Sequence, residues 1–249
     1  MDDNNVYGVL SLQQTLLELM REFDQMCESN SIRYTLSSGT LLGDVRNGGF
    51  IPWDDDIDVV LDRNNYSKLL GVIDTFPRLV IGKELWLDRI QYASSRTTGE
   101  YVPTIDLFIW DAVPKGTVRA KVKYYFIAFL QGMIKERPEY SRFRWKEKML
   151  LFVSYWFGRL FPLKWKLKWY SRLAQWGSKN PSEYLASYFD QFKGLKHHFR
   201  RSLLESFERC PFESISTTRI TGYDEYLRMI YGEDYLTPPP EAQRVPTHV

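Results

Sequence analysis

The chain has 249 residues, 44% hydrophobic and 26% charged, a composition that belongs to folded globular proteins and excludes disordered and fibrous ones. Its formal charge of +2 excludes a uniformly acidic or basic protein, yet the average conceals a division: residues 115–200 carry 19 Lys and Arg against 5 Asp and Glu, a net of +14, which leaves −12 for the rest. Cys27 and Cys210 have no metal-type spacing, which argues against a disulfide scaffold and fits a reducing compartment. No basic start followed by an apolar run opens the chain, so no secretory signal is expected. The longest apolar stretches, 124–134 and 150–163, are too short or interrupted by Arg159 for membrane spans, and the expectation is a cytoplasmic protein, soluble or peripheral at the inner face of a membrane.

In chain order, Leu12, Leu16, Leu19, Met20, Phe23 and Cys27 recur every three or four residues and predict a helix over about 11–28. Residues 32–36 read as a short strand, and the small-residue turn Ser37, Ser38, Gly39, Thr40 leads into a brief helix stopped by Gly48 and Gly49. An apolar strand over 57–61 follows the acidic run Asp54, Asp55, Asp56; then come a helix over 64–75 and strands over 85–93 and 104–109. From 116 to 176 the pattern is helical, broken by Pro138 and Pro162, and a last helix over 224–231 ends at Gly232 before the proline run 238–240. There is no internal repeat. Strands and helices mixed early, then helices, predict an α+β or α/β core with a helical addition.

The densest chemical signal is SSGTLLGDVRNGGFIPWDDDIDVV, residues 37–60. Side chains alternate along a strand, so Asp56 and Asp58 share a face, and Asp54 joins them if the extended backbone starts that early. Clustered carboxylates repel unless a cation lies between them, and hard oxygen donors favour Mg²⁺ or Mn²⁺, whose remaining positions take water and phosphate oxygens. Asp106, between apolar neighbours on the 104–109 strand, would complete a site for in-line displacement at phosphorus. Ser38, Gly39 and Thr40 offer backbone amides at a helix start to phosphate oxygens, with Arg46 as a candidate charge partner. Each piece alone has an ordinary alternative, a solvated acidic turn or a buried hydrogen-bonded Asp; their succession in one stretch favours the metal site.

YTLSSGTLLGDVRNGGFIPWDDDID, with IDLFIWD at 105–111, PFESI at 211–215 and YDEYLRMIYGEDYLTPPP at 223–240, resembles the signature of the LicD family phosphotransferases. The resemblance covers nearly the whole chain; over 116–195 it rests mainly on helices. It implies a nucleotidyltransferase-like mixed sheet and one catalytic domain over 1–249, with a core over 1–115, a basic, aromatic-rich helical subdomain over 116–195 and a C-terminal segment, 196–249, packed on the core. It implies Asp54, Asp56, Asp58 and Asp106 as metal ligands, with Asp56, Asp58 and Asp106 catalytic. It also implies transfer of a phospho-alcohol such as phosphocholine from a CDP-linked donor to a cell-surface glycan or its lipid-linked precursor, with CMP leaving. Eukaryotic relatives carry a zinc site in an insertion; this chain lacks the cysteine cluster for one, and no zinc is expected. A nucleotidyltransferase using a nucleoside triphosphate would need the same carboxylates, and a non-enzymatic basic protein binding membrane or nucleic acid is the third reading.

Arg89 and Arg96 flank a predicted strand and are candidates for the donor phosphate. Adjacent His197 and His198 point apart and read as a basic surface; His248 is a candidate ligand or substrate contact by resemblance alone. Tyr223, Tyr226, Tyr231 and Tyr235 read as packing around the last helix. The basic segment holds 21 of the 39 aromatic residues. It reads as a subdomain with its own aromatic core and solvated lysines, or as a surface for anionic membrane. No nucleic-acid module is apparent, so no nucleic-acid partner is expected.

Overall fold

The computed structural model describes residues 7–97, 102–141, 143–179, 181–190 and 194–246. The chain forms an α+β fold with a mixed sheet and divides into two compact units, Met1–Ile109 with Ser202–Val249, and Trp110–Arg201.

In the first unit, helix α1 (Leu10–Ser29) buries Leu16, Leu19, Met20, Phe23, Met26 and Cys27, the stripe read from the sequence. Then follow β1 (Thr35–Leu36), α2 (Ser38–Asn47), β2 (Ile57–Asp62) and α3 (Arg63–Val72), which is capped by the Asp62 side chain accepting from the Asn65 amide. Next come β3 (Leu79–Glu84), β4 (Leu87–Tyr92) and β5 (Ile105–Pro114). The strands lie in the order β1-β2-β5-β4-β3. Where the sequence predicts one strand over 85–93, the structure has a hairpin turning at Leu85 and Trp86. Leu85 sits at φ +54 without the Gly or Asn that normally marks such a turn. The β4–β5 register sets Arg89 directly opposite Asp106.

The second unit takes in β5 from Trp110 onward and holds α4 (Thr117–Ile134), α5 (Trp145–Gly158), α6 (Leu163–Ala174), β6 (Pro181–Ser187) and β7 (Phe199–Arg200). Strand β6 pairs antiparallel with residues 110–114 and with β7, and Trp110 stacks on Phe199 at 4.2 Å. Lys123 is fully buried: its ammonium donates to the carbonyls of Ala112, Ala174 and Trp176 at 2.6–2.9 Å and lies 3.8 Å from the Tyr188 ring. Lys166 is likewise buried and donates to the carbonyls of Met133 and Gly158. These two lysines therefore belong to the interior, against the expectation of uniformly solvated ones. Among the described residues no helix is long and apolar enough to cross a membrane.

From Ser202 the chain rejoins the first unit, adding the hairpin β8 (Phe207–Phe212) and β9 (Ile215–Ile220) and helix α7 (Tyr223–Tyr231). The hairpin is tied to the N-terminal elements. The Ile220 amide donates to the Thr35 hydroxyl, and Arg209 grips both oxygens of Asp24 at 2.7 Å while the Tyr34 hydroxyl donates to the same carboxylate.

Candidate active site

The site is built on the loop between α2 and β2. Helix α2 ends at Gly48, in the left-handed region at φ +72. The loop then folds back so closely that a Cβ on Gly43 would lie 2.5 Å from the Gly49 carbonyl oxygen, and only glycine fits there. Two distant groups fix it. Gln13 of α1 donates to the carbonyls of Ile51 and Asp54, at 3.2 and 2.8 Å. Glu213, in the β8–β9 turn, donates its amide to the Gly48 carbonyl and accepts from the Phe50 amide through its carboxylate, at 2.9 and 3.0 Å. Phe212 packs edge-on to Phe50 beside it. Glu213→Ala leaves the Phe50 amide without that acceptor and should cost about 1–2 kcal/mol in urea unfolding, with Glu213→Gln retaining most of it; equal stability of all three proteins would mean the clamp is idle.

The loop delivers its carboxylates in two groups. One oxygen each from Asp56, Asp58 and Asp106 lie within 4.8 Å of one another, and so do one each from Asp54, Asp55 and Asp56. Asp56 and Asp58 share a face as strand alternation requires, and β5 brings Asp106 to them. The strand begins only at Ile57, so Asp54 is not in the extended run; it groups with Asp55, which the sequence reading had not singled out. Asp106 is 5% exposed; its carboxylate accepts from Arg89 Nη2 at 3.1 Å and from the Thr104 hydroxyl, and its other ion-pair contact is with Arg89 Nε at 2.7 Å. Burial pushes the Asp106 carboxyl above the usual carboxylate range; Arg89 opposes the rise and Asp56 adds to it. Arg89 is therefore engaged with Asp106, and with Glu84, which gives it a positioning part. The Arg96 side chain and His248 lie outside the described residues.

The start of α2 faces the same acids. Gly39 lies against the Asp54 carboxylate, where an added Cβ would stand 3.2 Å from an oxygen. Thr40 is buried, and its hydroxyl accepts from the Asp58 amide at 2.8 Å, while the Ser37 amide donates to the Asp58 carbonyl, so both ends of that peptide are fixed. Ser38 takes φ +46, a costly conformation for a non-glycine residue, and its amide donates to the Tyr226 hydroxyl of α7, which also lies 2.9 Å from Ser37 Oγ. Of the three turn residues, Ser38 and Thr40 thus have internal partners and Gly39 borders the acids.

Burial, and then Arg244, lower the Arg46 pKa, and Tyr231 opposes this. Burial around the Tyr231 hydroxyl, followed by Tyr226, Asp58, Asp54 and Asp56, raises the Tyr231 pKa well above the ordinary value, although the residue as a whole is 43% exposed. Tyr231 thus interacts electrostatically with the carboxylates and with Arg46. Arg244 also lies over the Trp53 ring, 5.6 Å from its centre.

Residues 31–126 match the family model described as LicD/FKTN/FKRP, nucleotidyltransferase domain. Over 268 aligned positions the chain is 28% identical to the Haemophilus influenzae protein named lipopolysaccharide cholinephosphotransferase LicD, covering 95% of this chain and 94% of that one. The chain is similar to LicD proteins over nearly its whole length. Shorter matches, 65 residues at 37% and 35% identity, link it to uncharacterized proteins of Rickettsia prowazekii and Rickettsia typhi, covering 26% of this chain and 24% and 21% of theirs.

The LicD-model span holds both acid groups, Arg46 and Arg89, but not the residues that brace them from the C-terminal part. Glu213 and Arg244 carry no reading from sequence, and Tyr226 and Tyr231 read there only as packing around the last helix. Glu213 and Tyr226 lie within the stretches that carry the LicD resemblance, and that position was the available signal for them. Asp55 lies inside the acidic run, but alternation from an early strand start turns it away from Asp54 and Asp56.

Proposed function

We propose that this LicD-like chain is a Mg²⁺- or Mn²⁺-dependent transferase. It moves a phospho-alcohol, phosphocholine first among the candidates, from a CDP-linked donor to lipopolysaccharide or a related cell-surface glycan or lipid-linked precursor, releasing CMP. The observation that carries the reading is the convergence of Asp56, Asp58 and Asp106 oxygens within 4.8 Å, beside the start of α2. The relative named as a lipopolysaccharide cholinephosphotransferase, aligned over nearly the whole of both chains, supports the choice of phospho-alcohol and acceptor.

The donor set fits the ion. Three carboxylate oxygens within 4.8 Å of one another are hard donors of the kind Mg²⁺ or Mn²⁺ would take, and no thiolate or imidazole is among them. When bound, such an ion supplies positive charge for the phosphoryl oxygens and for the leaving group. The chain's own residues do the rest. The acceptor hydroxyl oxygen attacks the distal phosphorus, the bond from that phosphorus to the bridging oxygen breaks, and CMP departs with the electron pair. Arg89 holds both Asp106 oxygens, which favours the anion and suits a ligand; the hydroxyl proton goes to the more open Asp56 or Asp58 and from there to water. Arg46 and Arg244 supply charge for the nucleotide phosphates.

A thermal-shift series with CDP-choline, CDP-ribitol, CDP-glycerol, CTP and ATP, each with and without Mg²⁺, tests this reading. Saturating CDP-choline with Mg²⁺ should stabilise the protein by about 3 kcal/mol at a hundredfold excess over its dissociation constant, and much less in EDTA. Stabilisation by the triphosphates with none by any CDP-alcohol would overturn it in favour of nucleotidyl transfer.

A further inference from the structure

The helices of the second unit wear their largest apolar side chains on the outside. Helix α5 buries only Leu151, Ser154 and Gly158. Its bulky residues Trp145, Met149, Phe152, Val153 and Trp156, with Leu160 just beyond its end, follow one another every three or four positions, or side by side, on the solvent side; Trp145 is 67% exposed, Trp156 59% and Leu160 72%. Helix α4 adds Val118, Val122, Tyr125 and Phe126, and α6 adds Leu163 and Trp165. Isolated exposed apolar residues are ordinary on soluble proteins, but a continuous helical row of this bulk is not.

The inner contact of these helices reverses the same rule. A Cβ on Gly132 of α4 would fall 1.9 Å from Ser154 Oγ, and one on Gly158 would fall 2.4 Å from the Met133 carbonyl oxygen. Helices α4 and α5 thus approach through small residues, Ser154 and Gly158 being four apart, the mode that helices adopt when the solvent around them is hydrocarbon. Cations border the outward row: Lys146 and Lys148 at the start of α5, Arg159 at its end, and Lys164 and Lys168 on α6 are all exposed. The Lys146 ammonium lies 5.5 Å from the centre of the Trp145 ring.

We propose that α4, α5 and the start of α6 form a monotopic membrane-insertion surface. In it the outward row of α5 enters the acyl-chain boundary of one anionic leaflet and the flanking lysines and arginines meet its headgroups. Charge selects this occupant: a second copy would bring two segments of net +14 face to face, whereas an anionic leaflet complements them. Aliphatic Met149, Val153 and Leu160 find hydrocarbon there, which a nucleic acid would not offer. The helix of 14 residues is about 21 Å long, short of the roughly 30 Å hydrocarbon core, so it lies in the interface and does not span it. The surface is independent of the catalytic reading, and its test needs no turnover.

Flotation of the full chain with phosphatidylcholine vesicles, with and without phosphatidylglycerol, in low and high salt, tests the proposal. It is combined with tryptophan quenching by lipids brominated along their acyl chains and with sedimentation equilibrium. Anionic vesicles should bind the protein, high salt should weaken but not abolish binding, and bromolipids should quench emission. The double variant Phe152→Glu, Trp156→Glu should bind about tenfold more weakly or worse at an unchanged melting temperature. Binding abolished by salt without bromolipid quenching, absence of vesicle binding, or a stable dimer that the same variant dissociates would each overturn it.

Discussion

Replacing Asp58 with Asn should lower transfer by about a thousandfold or more, because several kcal/mol of charge stabilisation at the phosphoryl group depend on the metal that this carboxylate would help to hold. The folded chain should survive the change. The Asp58 backbone is tied into the architecture: its amide donates to Thr40 and its carbonyl accepts from Ser37. Asn preserves both bonds and removes one of three mutually repelling charges, so the urea midpoint in EDTA should stay level or rise. Steady-state transfer assays with Mg²⁺ titration decide the matter. Unchanged turnover in Asp58→Asn would remove the three-acid centre from the reaction.

The largest stability effect is expected away from that centre. Lys123→Met removes an ammonium that satisfies three carbonyl oxygens at once and sits against the Tyr188 ring. Methionine keeps the length and apolar stem but donates nothing, so two buried carbonyls and one partly buried carbonyl lose this donor. The cost should be about 3–5 kcal/mol. Urea unfolding followed by tryptophan fluorescence measures it, since the segment is rich in tryptophan, and a collapse in soluble yield would report the same loss. A shift under about 1 kcal/mol would show that water or the neighbouring chain replaces the lysine without penalty.

How much of this was legible in the sequence depends on what kind of interaction each part rests on. The alternation of Asp56 and Asp58, the stripe of α1 and the Gly48 stop of α2 are local, and periodicity or backbone chemistry exposes them directly. The β3–β4 and β8–β9 hairpins turn at Leu85 and Glu213, both at positive φ without glycine, so the usual turn signals were missing. Strand β6 lies close behind a run of helices and carries a polar, exposed first half, so no apolar alternation announced it. Lys123 and Lys166 looked like surface charge because nothing local distinguishes a lysine that meets carbonyls from one that meets water. Arg89 and Asp106 illustrate the remaining gap: each was recognised as chemically active, but their pairing is a fact of cross-strand register.

The long-range braces of the acidic loop bear on how the protein is made. Tyr226 meets Ser37 across 189 positions of chain, and Glu213 reaches Phe50 across 163. During synthesis the acidic loop therefore leaves the ribosome long before the residues that hold it in shape, and throughout that interval its clustered charges have neither Tyr226 nor Glu213 behind them. The loop acquires these two braces late, with the hairpin and last helix. A chain interrupted anywhere in the basic helical segment would carry every carboxylate of the site and still lack the frame that makes them act together.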